Sequence, residues 1–116
     1  MKRLADLSLD LQRLPAPLPI WLGVVDREGW KTLAQHALAG HGRLVALWGA
    51  HRTGADGPSA CMAVGTPQGL VWAELPLEDN EATYPDLTSR FACAARMQRA
   101  VADLSGLHAD ATPDPR

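Results

Sequence analysis

An apolar face with helical spacing follows the short run IWLGVV at residues 20 to 25. Asp26 stands between the two, and its side chain is suited to cap the N-terminus of a helix. Gly40 and Gly42 offer positions at which that helix can end. The apolar positions fall at i, i+3, i+4, i+7 and i+8, and they are Trp30, Leu33, Ala34, Ala37 and Leu38. The pattern predicts a strand over 20–25 and a helix over about 27–40.

Three apolar runs of strand length come next, at residues 43–50, 59–66 and 70–78. The first two are separated by HRTGADGP, which has the composition of a loop. The last two are separated by TPQG, with proline and glycine where a type I turn favours them. These features predict a meander of three strands, joined first by a loop and then by a tight hairpin.

A second helical pattern follows a long irregular connection over 79–90. Thr88 or Ser89 could cap this helix, and Gly106 stands where a left-handed C-terminal cap is expected. The apolar stripe is formed by Ala94, Met97, Val101 and Leu104. The order strand–helix–three strands–helix predicts an α+β two-layer sandwich over 19–107, with two helices on a mixed sheet of about four strands. Residues 1–18, with Pro15 and Pro17, are predicted to form an N-terminal arm, and residues 108–116 an extended C-terminal tail.

Composition narrows the class of partner. The chain has 116 residues and a net charge of -2, so it has no overall positive field that would attract nucleic acid. The charges are nevertheless uneven, because no Lys or Arg occurs from Thr53 to Ser89 while six acidic residues do. That stretch is either a set of solvated loops or an acidic docking edge. The sequence contains no apolar run of membrane-spanning length and no signal peptide, so the protein is expected to be cytoplasmic, either soluble or peripheral to a membrane through a partner.

The residues that most often carry chemistry do not form a recognisable site. The histidines lack metal-ligand spacing, and the two cysteines form no C-x-x-C pair and are expected to be packing thiols. The sequence therefore predicts no catalytic residue, no metal and no cofactor. A small enzyme or metal protein remains the alternative, and it would use His36, His41, His51 or Cys61.

Three segments of the last third resemble one family. YPDLT, the helical MQRAVADLSGL and the terminal TPDPR are similar to the 30 kDa subunit of respiratory complex I, the NADH-quinone oxidoreductase. The similarity is strongest to the module at the front of the large subunit of complex-I-related, membrane-bound nickel–iron hydrogenases. That pattern runs roughly Y-P-S-L-T, E-R-x-x-x-D-L-F-G-L and G-H-P-D-P-R. The matching residues are Tyr84, Pro85, Leu87 and Thr88, then Arg99, Asp103, Leu104, Gly106 and Leu107, then Pro113, Asp114, Pro115 and Arg116.

The resemblance implies a non-catalytic structural subunit that holds no cofactor and binds the large catalytic subunit, of the 49 kDa or hydrogenase type. The residues expected to contact that partner are Tyr84, Pro85, Leu87, Thr88, Arg99, Asp103, Pro113, Asp114, Pro115 and Arg116. The chain departs from the pattern at Gln98, where the family has Glu, at Ser105, where it has an aromatic residue, and at Ala111 and Thr112. These departures leave open an alternative, a stand-alone protein-binding or regulatory domain that has lost the redox complex.

Overall fold

The main sheet of the molecule has five strands and carries two helices. The structure, a computed structural model, describes residues 7–14, 19–51, 57–77 and 83–110. The elements in chain order are β1 (Gln12–Leu14), β2 (Ile20–Val24), α1 (Arg27–Ala39), β3 (Arg43–His51), β4 (Pro58–Thr66), β5 (Gly69–Pro76), β6 (Thr83–Tyr84), α2 (Ala94–Ser105) and β7 (His108–Ala109). The predicted α+β sandwich, with a mixed sheet and two helices, is confirmed.

The sheet has the order β1-β2-β5-β4-β3. The predicted meander forms its antiparallel part, β3-β4-β5. β2 pairs parallel with β5, and this pairing makes the sheet mixed. β1 lies within the predicted arm and adds a fifth, antiparallel strand at the edge. Residues 15–18, the proline-alternating part of the arm, lie outside the described residues.

Helix α1 forms as the sequence predicts. The Oδ1 atom of Asp26 accepts a hydrogen bond from the backbone N–H of Gly29 at 2.7 Å and so caps the first turn. Trp30, Leu33 and Ala34 are completely buried against the sheet. The chain then turns back into β3 through Gly42, where a Cβ atom would collide with the carbonyl oxygen of Gly65. Only glycine allows the backbones to approach so closely at this point.

Helix α2 differs from its prediction at its N-terminus and in the residues that it buries. The expected cap at Thr88 or Ser89 is wrong, because the helix begins at Ala94 and Cys93 makes no side-chain capping bond. Leu104 was assigned to the buried stripe but is 87% exposed, and Leu107 enters the core instead. The prediction for Gly106 is confirmed, since this residue adopts φ 75° and its N–H bonds the carbonyl of Ala102.

The core lies between the helices and the sheet. Met62, Val64 and Val71 from the central strands are completely buried against the helices. Cys61 is a buried free thiol, as expected, whereas Cys93 is free but exposed, contrary to the expectation of a packing thiol. In the part of the chain that is described, no helix is long and apolar enough to cross a membrane.

Candidate partner-binding surface

The first motif, YPDLT, runs along the inside of the molecule before it reaches the surface. Tyr84, Pro85 and Leu87 are buried, and the indole Nε1 of Trp30 donates a hydrogen bond to the carbonyl of Pro85 at 3.1 Å. A partner therefore does not reach these three side chains, although the sequence suggested that they lie on the contact surface. Thr88 is exposed and is the part of this motif that a partner can touch.

A polar network joins the motif to α2. The Gln98 side chain accepts a hydrogen bond from the N–H of Leu87 at 2.8 Å and donates one to Asp86 Oδ1 at 2.9 Å. The other oxygen of Asp86 accepts hydrogen bonds from the backbone N–H and the hydroxyl of Thr88. Residues 86–88 are thereby held against the helix. The Thr88 hydroxyl thus bonds within this turn, and α2 begins only at Ala94.

The exposed side of α2 presents Arg99, Asp103 and Leu104. Arg99 and Asp103 stand four residues apart on α2, where opposite charges can pair, but no ion pair between them is present among the described residues. Their charged groups are therefore available to an external partner. Leu104 adds an exposed apolar side chain beside them. The second motif includes Leu104, whereas the helical spacing had assigned it to the apolar stripe.

The root of the C-terminal tail is held firmly. Strand β7 pairs with β6, and the N–H of Asp110 bonds the carbonyl of Tyr84 at 2.7 Å. The guanidinium of Arg27 then forms an ion pair with Asp110 and donates a hydrogen bond to the carbonyl of Thr83. These contacts fix Asp110 beside the start of α1. The tail residues expected to bind a partner, Pro113, Asp114, Pro115 and Arg116, lie outside the described residues.

The three histidines whose side chains the structure describes, His36, His41 and His108, do not converge on a common site. His36 contacts Gln68 at 3.3 Å, while His41 and His108 are exposed on separate loops and strands. The side chain of His51 falls outside the described part of the structure. Within the described ranges, no group of three or more His, Cys, Asp or Glu side chains is arranged to hold a metal ion. A depression of about 630 Å³ lies along α1, and Lys31 and Glu28 are among the residues that line it. The Nζ atom of Lys31 lies 3.5 Å from Oε2 of Glu28, so these two side chains form an ion pair.

Tyr84 is the buried ionisable group nearest to this surface. Its ring lies 5.8 Å from the Trp30 ring, and its hydroxyl has no hydrogen-bond partner in the structure as described. Burial, followed by the negative charge of Asp86, raises the pKa of Tyr84 from 10 to about 12. Burial also raises the pKa of Cys61 from 9 to about 11, and the charge of Glu74 adds to this shift.

We expect Tyr84→Phe to leave stability at neutral pH unchanged or to raise it by up to ~1 kcal/mol, because the variant removes a buried hydroxyl without a partner. At high pH the unfolded tyrosine ionises first. The wild type therefore loses stability as pH rises from 10 towards 12, and Tyr84→Phe removes this part of the loss. Urea unfolding between neutral pH and pH 11 measures both effects. Cys61→Ala is the control, since it removes only the part of the stability loss that begins near pH 9, where the unfolded thiol ionises.

The surface therefore belongs to an α+β domain whose described residues present charged and apolar side chains. Among solved structures, the fold is similar to "Nqo5 of the trypsin-resistant fragment (1-134) in P63 form". The TM-score is 0.70 at 19% sequence identity, and the match covers 90% of this chain and 89% of that one. No family model matches the chain, and no curated protein matches it in sequence.

Proposed function

We propose that this chain is a non-catalytic structural subunit of a complex-I-like NADH:quinone oxidoreductase or of a related membrane-bound nickel–iron hydrogenase. Its partner is the large catalytic subunit, of the 49 kDa or hydrogenase type. The observation that carries the proposal is the shared fold with Nqo5, a complex I subunit of the 30 kDa type, over 90% of the chain. The expected location is the cytoplasm, at the periphery of the inner membrane through the partners.

The contacts around the motifs support a docking role. The Asp86–Gln98 network and the Arg27–Asp110 ion pair hold two segments against the body. Such preorganisation lowers the conformational entropy that is lost when a partner binds. In this proposal the contact surface consists of Thr88, Arg99, Asp103 and Leu104, and Pro113–Arg116 extend it along the neighbour. The buried Tyr84, Pro85 and Leu87 support the surface from below.

The alternative function is a stand-alone protein-binding or regulatory domain that has lost the redox complex. It was suggested by the departures from the family pattern. Gln98 has a specific role, since its amide bonds both Asp86 and Leu87. Ser105 bonds the carbonyl of Val101, and it packs so closely on Gly49 that a Cβ atom added at residue 49 would collide with its hydroxyl. Both residues are thus accommodated by their neighbours, so neither departure supports a loss of function.

The test is binding to the large subunit, produced together with the full chain. We expect Arg99→Ala, and separately removal of residues 111–116, to weaken the complex by about tenfold, because each removes contacts that a docked partner would desolvate. Isothermal titration measures the affinity. Arg43→Ala is a matched control, since Arg43 is also an exposed arginine but lies on β3.

Two results would contradict the proposal in different ways. If neither a nickel–iron-type nor a quinone-reductase large subunit binds the chain, the function itself is rejected. If a large subunit binds equally well to the wild type, Arg99→Ala and the truncated chain, the function stands but the assigned surface is rejected.

A further inference from the structure

The depression along α1 has the size of a small-molecule site. Its volume of about 630 Å³ lies within the range of pockets that hold ligands in proteins. Residues at helical spacing line it from the helix, and they are Glu28, Lys31, Thr32, Gln35, His36 and Ala39. Pro67, in the turn between β4 and β5, lines the C-terminal end, where a Cβ atom at Gly40 would lie 2.8 Å from its ring. Leu7 and Arg90 complete the lining.

Arg90 differs from the other lining residues because its guanidinium has no counter-ion. Its backbone is fixed, since its N–H bonds the carbonyl of Leu87 at 3.0 Å and the next residue, Phe91, is buried. The Nε atom of Arg90 is shielded from solvent, yet it has no hydrogen-bond partner. Nη1 makes one long hydrogen bond of 3.5 Å to the hydroxyl of Ser89. In the described part of the chain, no carboxylate lies within ion-pair distance of this guanidinium.

A partly buried cation without a counter-ion is unfavourable, because burial removes water that would otherwise solvate the charge. A ligand with an oxyanion would supply the missing partner through charge-assisted hydrogen bonds. The planar guanidinium presents a fork of donors that matches both carboxylate and phosphate. Thr32 and Gln35 are exposed on the helix wall and can add neutral hydrogen bonds to such a ligand.

The other charged groups of the depression do not reverse this preference. Lys31 and Glu28 form an exposed ion pair with each other, so their charges cancel. The ring of His36 is buried and already contacts Gln68. Arg90 therefore sets the sign of the charge that the depression offers to a ligand.

We propose that the depression between α1 and Arg90 binds a small molecule in which an oxyanion, either phosphate or carboxylate, is joined to an apolar body. The oxyanion would bind Arg90, and the apolar body would lie against Leu7, Ala39 and Pro67. The site goes beyond the proposed function, since its ligand is not a subunit. The residues assigned to the subunit contact do not line it, and among those that the structure describes they are Thr88, Arg99, Asp103 and Leu104.

NMR titration of the full chain with octyl phosphate, octanoate and 1-octanol tests this proposal. The probes carry similar alkyl chains and differ in the head group. We expect both anions, but not the neutral alcohol, to shift the backbone amide resonances of residues 28–40 and of Arg90. The tighter of the two anions identifies the preferred oxyanion. Inorganic phosphate should bind more weakly than octyl phosphate, because it lacks the apolar body.

Variants on both sides of the depression sharpen the test. Arg90→Gln should weaken binding of octyl phosphate by about tenfold, because it removes the charge-assisted hydrogen bonds. Arg96→Gln is the matched control, since Arg96 is an exposed arginine on α2 that does not line the depression. Glu28→Gln should strengthen binding by about two- to threefold, because it removes a competing carboxylate and releases Lys31. This exposed substitution tests the site even if Arg90→Gln lowers the stability of the fold.

The proposal is wrong if none of the probes shifts the resonances of α1, or if 1-octanol binds as tightly as octyl phosphate. It is also wrong if neither Arg90→Gln nor Glu28→Gln changes the affinity for octyl phosphate. The titration uses the chain without a partner, so its outcome is separate from that of the proposed function. A chain that binds octyl phosphate but no large subunit would reject the proposed function and retain this site.

Discussion

Replacing Trp30 by alanine is expected to lower the free energy of unfolding by about 3–5 kcal/mol. Trp30 is completely buried, and its ring packs against Tyr84. Its indole N–H also donates a hydrogen bond to the carbonyl of Pro85. The substitution therefore creates a cavity and leaves a buried carbonyl without its hydrogen-bond donor. This loss is a large fraction of the total stability of a domain of this size. Urea denaturation followed by circular dichroism measures it.

Two further variants separate the contributions to this loss, which are the buried ring and the hydrogen bond to Pro85. Trp30→Phe keeps most of the buried ring but removes the donor, so its cost should be about 1–3 kcal/mol. Trp72→Ala removes a tryptophan that is 44% exposed and should cost clearly less than Trp30→Ala. Equal losses for Trp30→Ala and Trp72→Ala would show that Trp30 does not anchor the 84–88 segment to α1.

The second large effect is expected for Gln98→Glu. The new carboxylate could still accept the N–H of Leu87, but it would face Asp86 Oδ1, which now accepts a bond from the Gln98 amide at 2.9 Å. Two carboxylates at this distance repel each other, and a hydrogen bond is lost, so we expect a cost of about 1–3 kcal/mol at neutral pH. The cost should shrink in acid, because repulsion between the two carboxylates favours protonation of one of them, which can then donate to its neighbour. Unfolding experiments at neutral and at acidic pH measure the change.

A rescue experiment gives the matched control. In the family that the sequence resembles, Ser and Glu stand at the positions of Asp86 and Gln98. Combining Asp86→Ser with Gln98→Glu should therefore recover most of the lost stability, because a hydroxyl can donate to the new carboxylate. Additive losses in the double variant would mean that the two side chains act independently. Recovery would show that the two departures compensate each other.

The helix α1 and the β3–β5 meander were predictable from sequence because their signals are local. The apolar spacing after Asp26, the TPQG turn and Gly106 each act through residues a few positions apart in the chain. The candidate site was predictable only in part. The motifs marked Thr88, Arg99 and Asp103, which the structure places at the surface, but they marked Tyr84, Pro85 and Leu87 as well, which it places in the core.

The sequence by itself determined the two helical segments, the four long strands β2 to β5 and the two-layer class, but not the short strands β1, β6 and β7. Only the tertiary structure decided that β2 pairs parallel with β5, that Tyr84 is buried against Trp30, and that Leu104 and Trp72 remain exposed. An apolar side chain favours burial equally well on either face of a strand or helix. Which face is covered depends on elements that are distant in the chain, and contacts over such separations leave no local pattern.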